Sequence, residues 1–319
     1  MRWLAGLGMS AVLVLAGCSV VGTSDDRQTA ERLANEHFPG QLTVVEVRNL
    51  LLEDSGSEVT FALKGDPDTA VRLRVDAEKG TCRRKPCGEQ LTAAVARAKT
   101  HGDTWRRLAD GFRSCGHPLV AADWPLSEVW VEGAPTNETI KPLLTTIGGC
   151  LPDERALSVS FAVPEVVAGL PATDARLPTL LRVTDGKRLA ALAGRAHVVA
   201  SYAQRADRTA PPVVSARVVR PFAERQEFER KVKATASAWL LANRPNAAAA
   251  HVVGIWRLAP GTVDRLAGYV LFCEPAQKNC QGDRALAMTV DREGALQGTP
   301  QIVTDIRDPQ GVLRLPGSG

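Results

Sequence analysis

The chain has 319 residues, of which 45% are hydrophobic, and a formal net charge of +4 at pH 7. This length is sufficient for two or three domains with apolar cores. So small a net charge excludes the strongly basic surface with which nucleic-acid-binding domains attract phosphates, and no nucleic-acid partner is expected.

The N-terminus carries the pattern of an export signal. Arg2 gives a positive start, an apolar stretch runs from Trp3 to Leu15, and the small residues Ala16 and Gly17 precede Cys18. A positive start, an apolar core and small residues before a cleavage site are the marks of a secretory signal peptide. The run Leu15-Ala16-Gly17-Cys18 also resembles the bacterial lipobox, the motif read by the lipoprotein signal peptidase.

The resemblance to bacterial lipoproteins implies cleavage after Gly17 and a lipid on the thiol of Cys18. Residues 1–17 are then the signal peptide, residues 18–27 a polar tether, and the rest lies outside the cell membrane, anchored by lipid. Each buried methylene contributes about 0.8 kcal/mol, so the two or three acyl chains of such an anchor, palmitate included, hold firmly. The alternative is an uncleaved helix, because the apolar run approaches the ~20 residues that span a bilayer. The abundance of alanine, arginine and valine is typical of actinobacterial genomes.

Six cysteines remain once Cys18 is set apart. An even number of cysteines in an exported protein predicts disulfides, and proximity in sequence favours three pairs among the alternatives. No C-x-x-C occurs, so the spacing of thioredoxin-like and zinc sites is missing and no metal is expected. The predicted pairs are Cys82–Cys87, Cys115–Cys150 and Cys273–Cys280.

Two parts of the chain, residues 28–105 and 211–319, show the same order of elements. Each begins with a helix at apolar 3–4 spacing and continues with three strands. The first has a helix from Gln28 to Phe38 and strands at 42–52, 58–63 and 70–75. The second has a helix from Ala223 to Asn243 and strands at 251–258, 267–272 and 285–290.

Residues 106–210 form a different middle segment. A strand at 127–132, a helix at 137–147 and a strand at 156–163 predict a β-α-β unit, and two helices, 91–99 and 104–113, precede it. A short strand at 180–183 and an alanine-rich helix at 186–205 follow. The predicted fold is α+β, with antiparallel meanders packed by helices and two similar helix-then-three-strand units flanking the β-α-β segment. These units are similar to cystatin-like and PepSY-like modules of exported bacterial proteins, a likeness of fold that does not fix a function.

Catalytic motifs are missing from the sequence. There is no H-E-x-x-H, no G-x-S-x-G, no S-x-x-K and no phosphate-binding glycine loop, so no catalytic residue and no cofactor is predicted. The run from Ser114 to Pro118 places Cys115 near His117. A free thiol there would suit a nucleophile or a metal ligand, but a disulfide is the stronger interpretation.

One basic patch and two tryptophans are candidates for binding. Arg83, Arg84 and Lys85 lie between Cys82 and Cys87 and form a candidate anion-binding patch for lipid headgroups or wall polymers, near which each basic residue adds about 1 kcal/mol. A solvated loop is the alternative. Trp124 and Trp130 flank a strand and could stack on a sugar, although core positions are commoner for tryptophan.

The sequence therefore favours a membrane-anchored, non-enzymatic module for binding or assembly in the cell envelope. Its expected partners are the membrane, through the lipid, and an envelope protein or an anionic wall polymer. The alternatives are an envelope hydrolase with an unrecognised site and an accessory subunit of a membrane sensor or secretion complex. A deep pocket lined by histidine and carboxylates would favour the hydrolase, and a shallow, exposed sheet face would favour binding.

Overall fold

A computed structural model describes residues 23–50, 55–82, 85–151, 156–203 and 214–316. The fold is α+β, as predicted, with helices and mostly antiparallel strands. The chain divides into two compact units, residues 1–101 and 102–319, and each is described by itself. The sequence divides the folded part into three segments instead, with boundaries after residues 105 and 210.

Unit 1 is a helix followed by a three-stranded antiparallel meander. Its elements are α1 (Thr23–His37), β1 (Leu42–Asn49), β2 (Ser57–Leu63), β3 (Asp66–Val75) and the first part of α2 (Cys87–Ser114). The sheet order is β1-β2-β3. Alternate residues of a strand point to one face, so Val59 and Phe61 of β2 lie in a core with Ala30 of α1 and Leu91 of α2.

Hydrogen bonds fix the start of α1 against the sheet. The carboxylate of Asp26, 4% exposed, accepts hydrogen bonds from the hydroxyl of Ser57 (2.7 Å) and the backbone N–H of Ala77 (2.8 Å). The strand predicted at 70–75 is longer than expected, because β3 already begins at Asp66. The turn lies at Gly65, whose φ is +80°, and Pro67 is tolerated because β3 is an edge strand.

The helix α2 corrects the prediction of two helices at 91–99 and 104–113. It is continuous from Cys87 to Ser114. Gly102 in its middle costs about 1 kcal/mol relative to alanine. Buried apolar residues on both sides of that glycine, such as Val95, Ala98, Trp105 and Leu108, outweigh this cost.

Unit 2 contains the rest of α2, five further helices and ten strands among its described residues. The strands form one sheet in the order β13-β12-β11-β10-β8-β7-β6-β5-β4, with β9 also paired to β11. In chain order the elements are β4 (Leu119–Ala122), β5 (Glu128–Glu132), α3 (Ile140–Cys150), β6 (Leu157–Ala162), α4 (Pro164–Ala168), α5 (Thr179–Val183), α6 (Gly186–Ala193), β7 (His197–Tyr202), β8 (Val214–Val219), α7 (Phe222–Asn243), β9 (Ala248–Val252), β10 (Arg257–Leu258), β11 (Arg265–Cys273), β12 (Arg284–Asp291) and β13 (Gln301–Val303).

The middle of the chain contains the predicted β-α-β unit, because β5 and β6 pair in parallel across α3. Two predictions beside it are wrong. Residues 180–183 belong to the helix α5, and the helix predicted at 186–205 ends at Ala193, where Gly194 follows as its C-cap. The remainder forms β7, because the alternating apolar residues Val198, Ala200 and Tyr202 pack against the core of the sheet.

The C-terminal part repeats the helix-then-three-strand arrangement. After α7, strands β9, β11 and β12 pair antiparallel, and β10 and β13 are additions to this pattern. The strand predicted at 251–258 is split into β9 and β10, which lie on the same edge of β11. Between them Trp256 packs over Gly268, where a Cβ would meet the indole ring at 2.5 Å.

All three predicted disulfides are confirmed: Cys82–Cys87, Cys115–Cys150 and Cys273–Cys280. In the described part of the chain, no helix combines the length and the apolar character needed to cross a bilayer.

Candidate binding groove

The predicted lipid site and most of the predicted basic patch lie outside the described residues. These are Cys18, Gly17, Arg83 and Arg84. Lys85 is exposed, and its backbone N–H and C=O pair with Cys82 at 3.1 and 3.0 Å inside the disulfide-closed loop. The anion-binding role of this patch stays a prediction.

The other candidates from the sequence have structural roles. The thiol of Cys115 is bonded to Cys150, so it is not available beside His117 as a nucleophile or ligand. Trp130 is 4% exposed and packs in a cluster with Ala162 and Leu192. Trp124 is half-buried.

Unit 2 contains a groove of about 1060 Å³. The helix α3 forms one wall through Ile140, Leu144 and Thr145. The strand β10 and its turn, residues 258–262, form the other, and the first half of β8, residues 214–216, lies between them. The groove is therefore bounded on two sides by regular elements of one unit.

Side-chain hydrogen bonds hold the two walls in place. Asn137, just before α3, donates from Nδ2 to Asp264 (3.0 Å) and accepts from the backbone N–H of Val263 (2.7 Å). The hydroxyl of Tyr202 in β7 donates to the backbone carbonyl of Leu144 in α3 (2.9 Å). Burial raises the pKa of Tyr202, so this hydroxyl remains a donor. These bonds preform the groove.

The groove exists because the sheet is almost interrupted there. A single residue pair, Arg217 opposite Arg257, joins β8 to β10, whereas β7 pairs with β8 along six residues. Every residue of β8 is at least partly exposed, although the strand is central in the sheet order. Because no described residue pairs with residues 214–216 on the β10 side, that stretch has the character of an edge strand.

The lining of the groove is apolar with positive charge. Lys141 and Arg257 contribute side chains, and no aspartate, glutamate or histidine is among the lining residues. Lys141 is exposed, and no acidic group of the described chain pairs with it. Pockets of this kind, mostly apolar with a few placed polar groups, are the usual binding sites of proteins.

The other face of the sheet is polar near the same junction. We call it the serine face, because the half-exposed side chains of Ser158, Ser201 and Ser215 lie on it in register across β6, β7 and β8. Arg217 and Arg257 share this face. A cavity of about 420 Å³ adjoins it, and Arg257 and Ala267 line both this cavity and the groove.

The serine face also carries a titratable cluster. His197 packs against Trp130 with ring centroids 4.5 Å apart, and its Nδ1 lies 2.9 Å from the carbonyl oxygen of Arg195. Glu128 accepts a hydrogen bond from the hydroxyl of Ser160 at 2.6 Å. Burial lowers the pKa of His197 below its usual 6.5, and the charge of Arg217 lowers it further, against the opposite effects of the Arg195 carbonyl and Glu128.

Sequence reasoning missed this site because it missed both strands at its centre. A helix was expected where β7 lies, and no element was expected at β8. The alternation of Val198, Ala200 and Tyr202 was the available signal for β7. The run Val214-Ser215-Ala216-Arg217-Val218 carried the same period-2 pattern for β8.

No family model, curated protein or solved structure matches the chain. Within the described residues, no group of three or more His, Cys, Asp or Glu side chains is placed to hold a metal ion.

The lowered pKa of His197 predicts how stability depends on pH. The unfolded chain binds a proton near pH 6.5, but the folded state resists protonation, so the free energy of unfolding falls as the pH drops through the lowered pKa. In His197→Asn, whose amide can still donate to the Arg195 carbonyl, this fall should be shallower. Urea unfolding at about pH 7 and about pH 5 measures it. The matched control is His251→Asn at an exposed position; an unchanged pH slope in His197→Asn would refute the assignment.

Proposed function

We propose that the protein is a lipid-anchored lipoprotein of the cell envelope whose unit 2 is a binding module. The observation that carries the proposal is the preformed groove of about 1060 Å³ at the place where the pairing between β8 and β10 fails. A gap in a sheet exposes both apolar side chains and backbone hydrogen-bonding groups, and a ligand can satisfy both.

The anchor in this proposal rests on the sequence. Leu15-Ala16-Gly17-Cys18 resembles a lipobox behind a positive start and an apolar stretch. The tether predicted at residues 18–27 is shorter than expected, because α1 already begins at Thr23. A coil of the roughly four residues between Cys18 and α1 would reach only about 10–12 Å. The folded part would therefore work close to the membrane surface.

The chemistry of the groove supports binding rather than hydrolysis. A hydrolase site would need a histidine or carboxylates facing its substrate, and the groove lining contains neither. Ser160, Glu128 and His197 lie together on the serine face. There the hydroxyl of Ser160 is fully buried and is used to donate to Glu128, so it is not presented to solvent as a nucleophile.

The anchor is tested by Cys18→Ala. Without the thiol there is no site for the lipid, so the variant should lose labelling by a fatty-acid analogue. It should also accumulate as an uncleaved precursor or appear in the medium. Labelling of cells with an alkyne-tagged palmitate, followed by gel analysis, measures this. Ser19→Ala, which changes the neighbouring residue and leaves Cys18 in place, serves as the control and should keep its labelling. Equal labelling of the Cys18→Ala protein would contradict the lipid assignment.

The groove is tested by photo-crosslinking in cells that express the full chain. A photoreactive amino acid at Thr145, which is exposed on the α3 wall, should give adducts after illumination because a ligand lies against it. The same amino acid at Ser237, exposed on α7 away from the groove, is the matched control. Adducts of equal yield at both positions, or none at Thr145, would contradict a binding role for the groove.

A further inference from the structure

The open edge of β8 suits hydrogen bonding to the backbone of an extended peptide rather than binding of a small molecule. In an antiparallel strand, alternate residues direct both their N–H and C=O groups to the same side. Within the described parts of the chain, residues 214–216 have β7 on one side and no strand partner on the other. At least one of these three residues therefore directs both backbone groups away from β7, beside the groove. Extended peptides bind such edges by adding a strand.

The two faces of β8 differ in chemistry. Val214 and Ala216 share a face with Tyr202 and Ala200, their register partners in β7, and they line the groove with Leu144 and Leu258. Ser215 and Arg217 point to the serine face. A strand added along residues 214–216 would direct its side chains alternately into the apolar groove and onto the serine face.

The serine face carries positive charge at this point. Arg217 and Arg257 lie directly opposite each other in the register, and like charges in this position are destabilising. Arg217 is exposed, and no acidic group in the described part of the chain pairs with it. An added residue opposite Ser215 would be the diagonal neighbour of Arg217, within reach of a long side chain. A carboxylate there would pair with the guanidinium of Arg217.

We propose that the groove binds an extended polypeptide segment with alternating apolar and acidic residues, which pairs with the edge of β8 at Val214–Ala216. Its apolar side chains enter the groove, and its acidic side chain lies beside Arg217 on the serine face. Lys141 at the groove adds to the attraction for an acidic segment. This inference rests on the proposed function, because it names the class of partner that the groove takes.

The test selects binders for the full lipidated chain in detergent micelles. Displayed random peptides of about seven residues, the length of an ordinary strand, are selected at about pH 8, where His197 is neutral. The selected peptides are expected to alternate apolar and acidic residues. Selection on R217E should replace the acidic position with a basic one and keep the apolar positions, because only the charge that faces the peptide has been reversed. K233E changes an exposed residue of α7 that does not line the groove, so it should select the same peptides as the unmodified chain.

Affinity and hydrogen exchange complete the test. A synthetic peptide from the first selection should bind R217E about fivefold more weakly than K233E, with the difference shrinking in high salt. On binding, the outward amides of residues 214–216 should exchange at least about tenfold more slowly. R217E removes a like-charge pair and should therefore fold at least as stably as the unmodified chain, which thermal unfolding checks.

The outcomes separate this inference from the proposed function. If the selected peptides compete away the adducts at position 145 but leave the amides of residues 214–216 unprotected, strand addition is overturned and the groove remains a binding site. Acidic peptides selected equally by R217E would overturn the role of Arg217. Failure to select any peptide, together with displacement of the Thr145 adducts by palmitate, would show an acyl-chain site and overturn the polypeptide assignment. Absence of any groove adduct would remove the proposed function itself.

Discussion

The register pair Arg217–Arg257 is the only pairing between β8 and β10, and it joins the two halves of the sheet in unit 2. Two cationic side chains directly opposite each other oppose this contact. The junction is instead held from outside the sheet, by the Asn137 bonds to Val263 and Asp264 and by the packing of Trp256 over Gly268. A gap of defined shape therefore remains between β8 and β10. The groove, the open edge of β8 and the exposed charge of Arg217 all lie at this gap.

The two faces of the sheet differ in chemistry at this junction. Towards α3 the gap is apolar and preformed, because Tyr202 ties α3 to β7. On the serine face the far ends are covered: Trp130 and Ala162 pack with Leu192 at one end, and residues 306 and 315 pack on β11 at the other. The polar centre between these covers remains open to solvent. A partner that satisfies backbone, apolar and acidic requirements at once gains specificity from all three.

The sequence predicted the parts of the fold that local patterns determine. The helix α7, the strands β11 and β12, the β-α-β unit and the three disulfides all follow from apolar period, turn residues and cysteine spacing. It failed where tertiary context decides. The helix α2 runs through Gly102 because apolar residues on both sides are buried, and α3 runs through Gly148 and Gly149 to Cys150, which is bonded to Cys115. The alanines before β7 favour a helix and outweighed the short alternating patterns of β7 and β8, so the candidate site at these strands was not predicted.

Amide hydrogen exchange of the full chain without ligand tests the open edge of β8 most directly. If residues 214–216 lack a strand partner on the β10 side, their outward amides should exchange orders of magnitude faster than the buried amides of Val198 and Ala200 in β7. The inward amides of β8, which pair with β7, provide the reference within the same strand. Protection of all β8 amides to the level of β7 would show that the edge is already occupied, and it would contradict the binding site described for this junction.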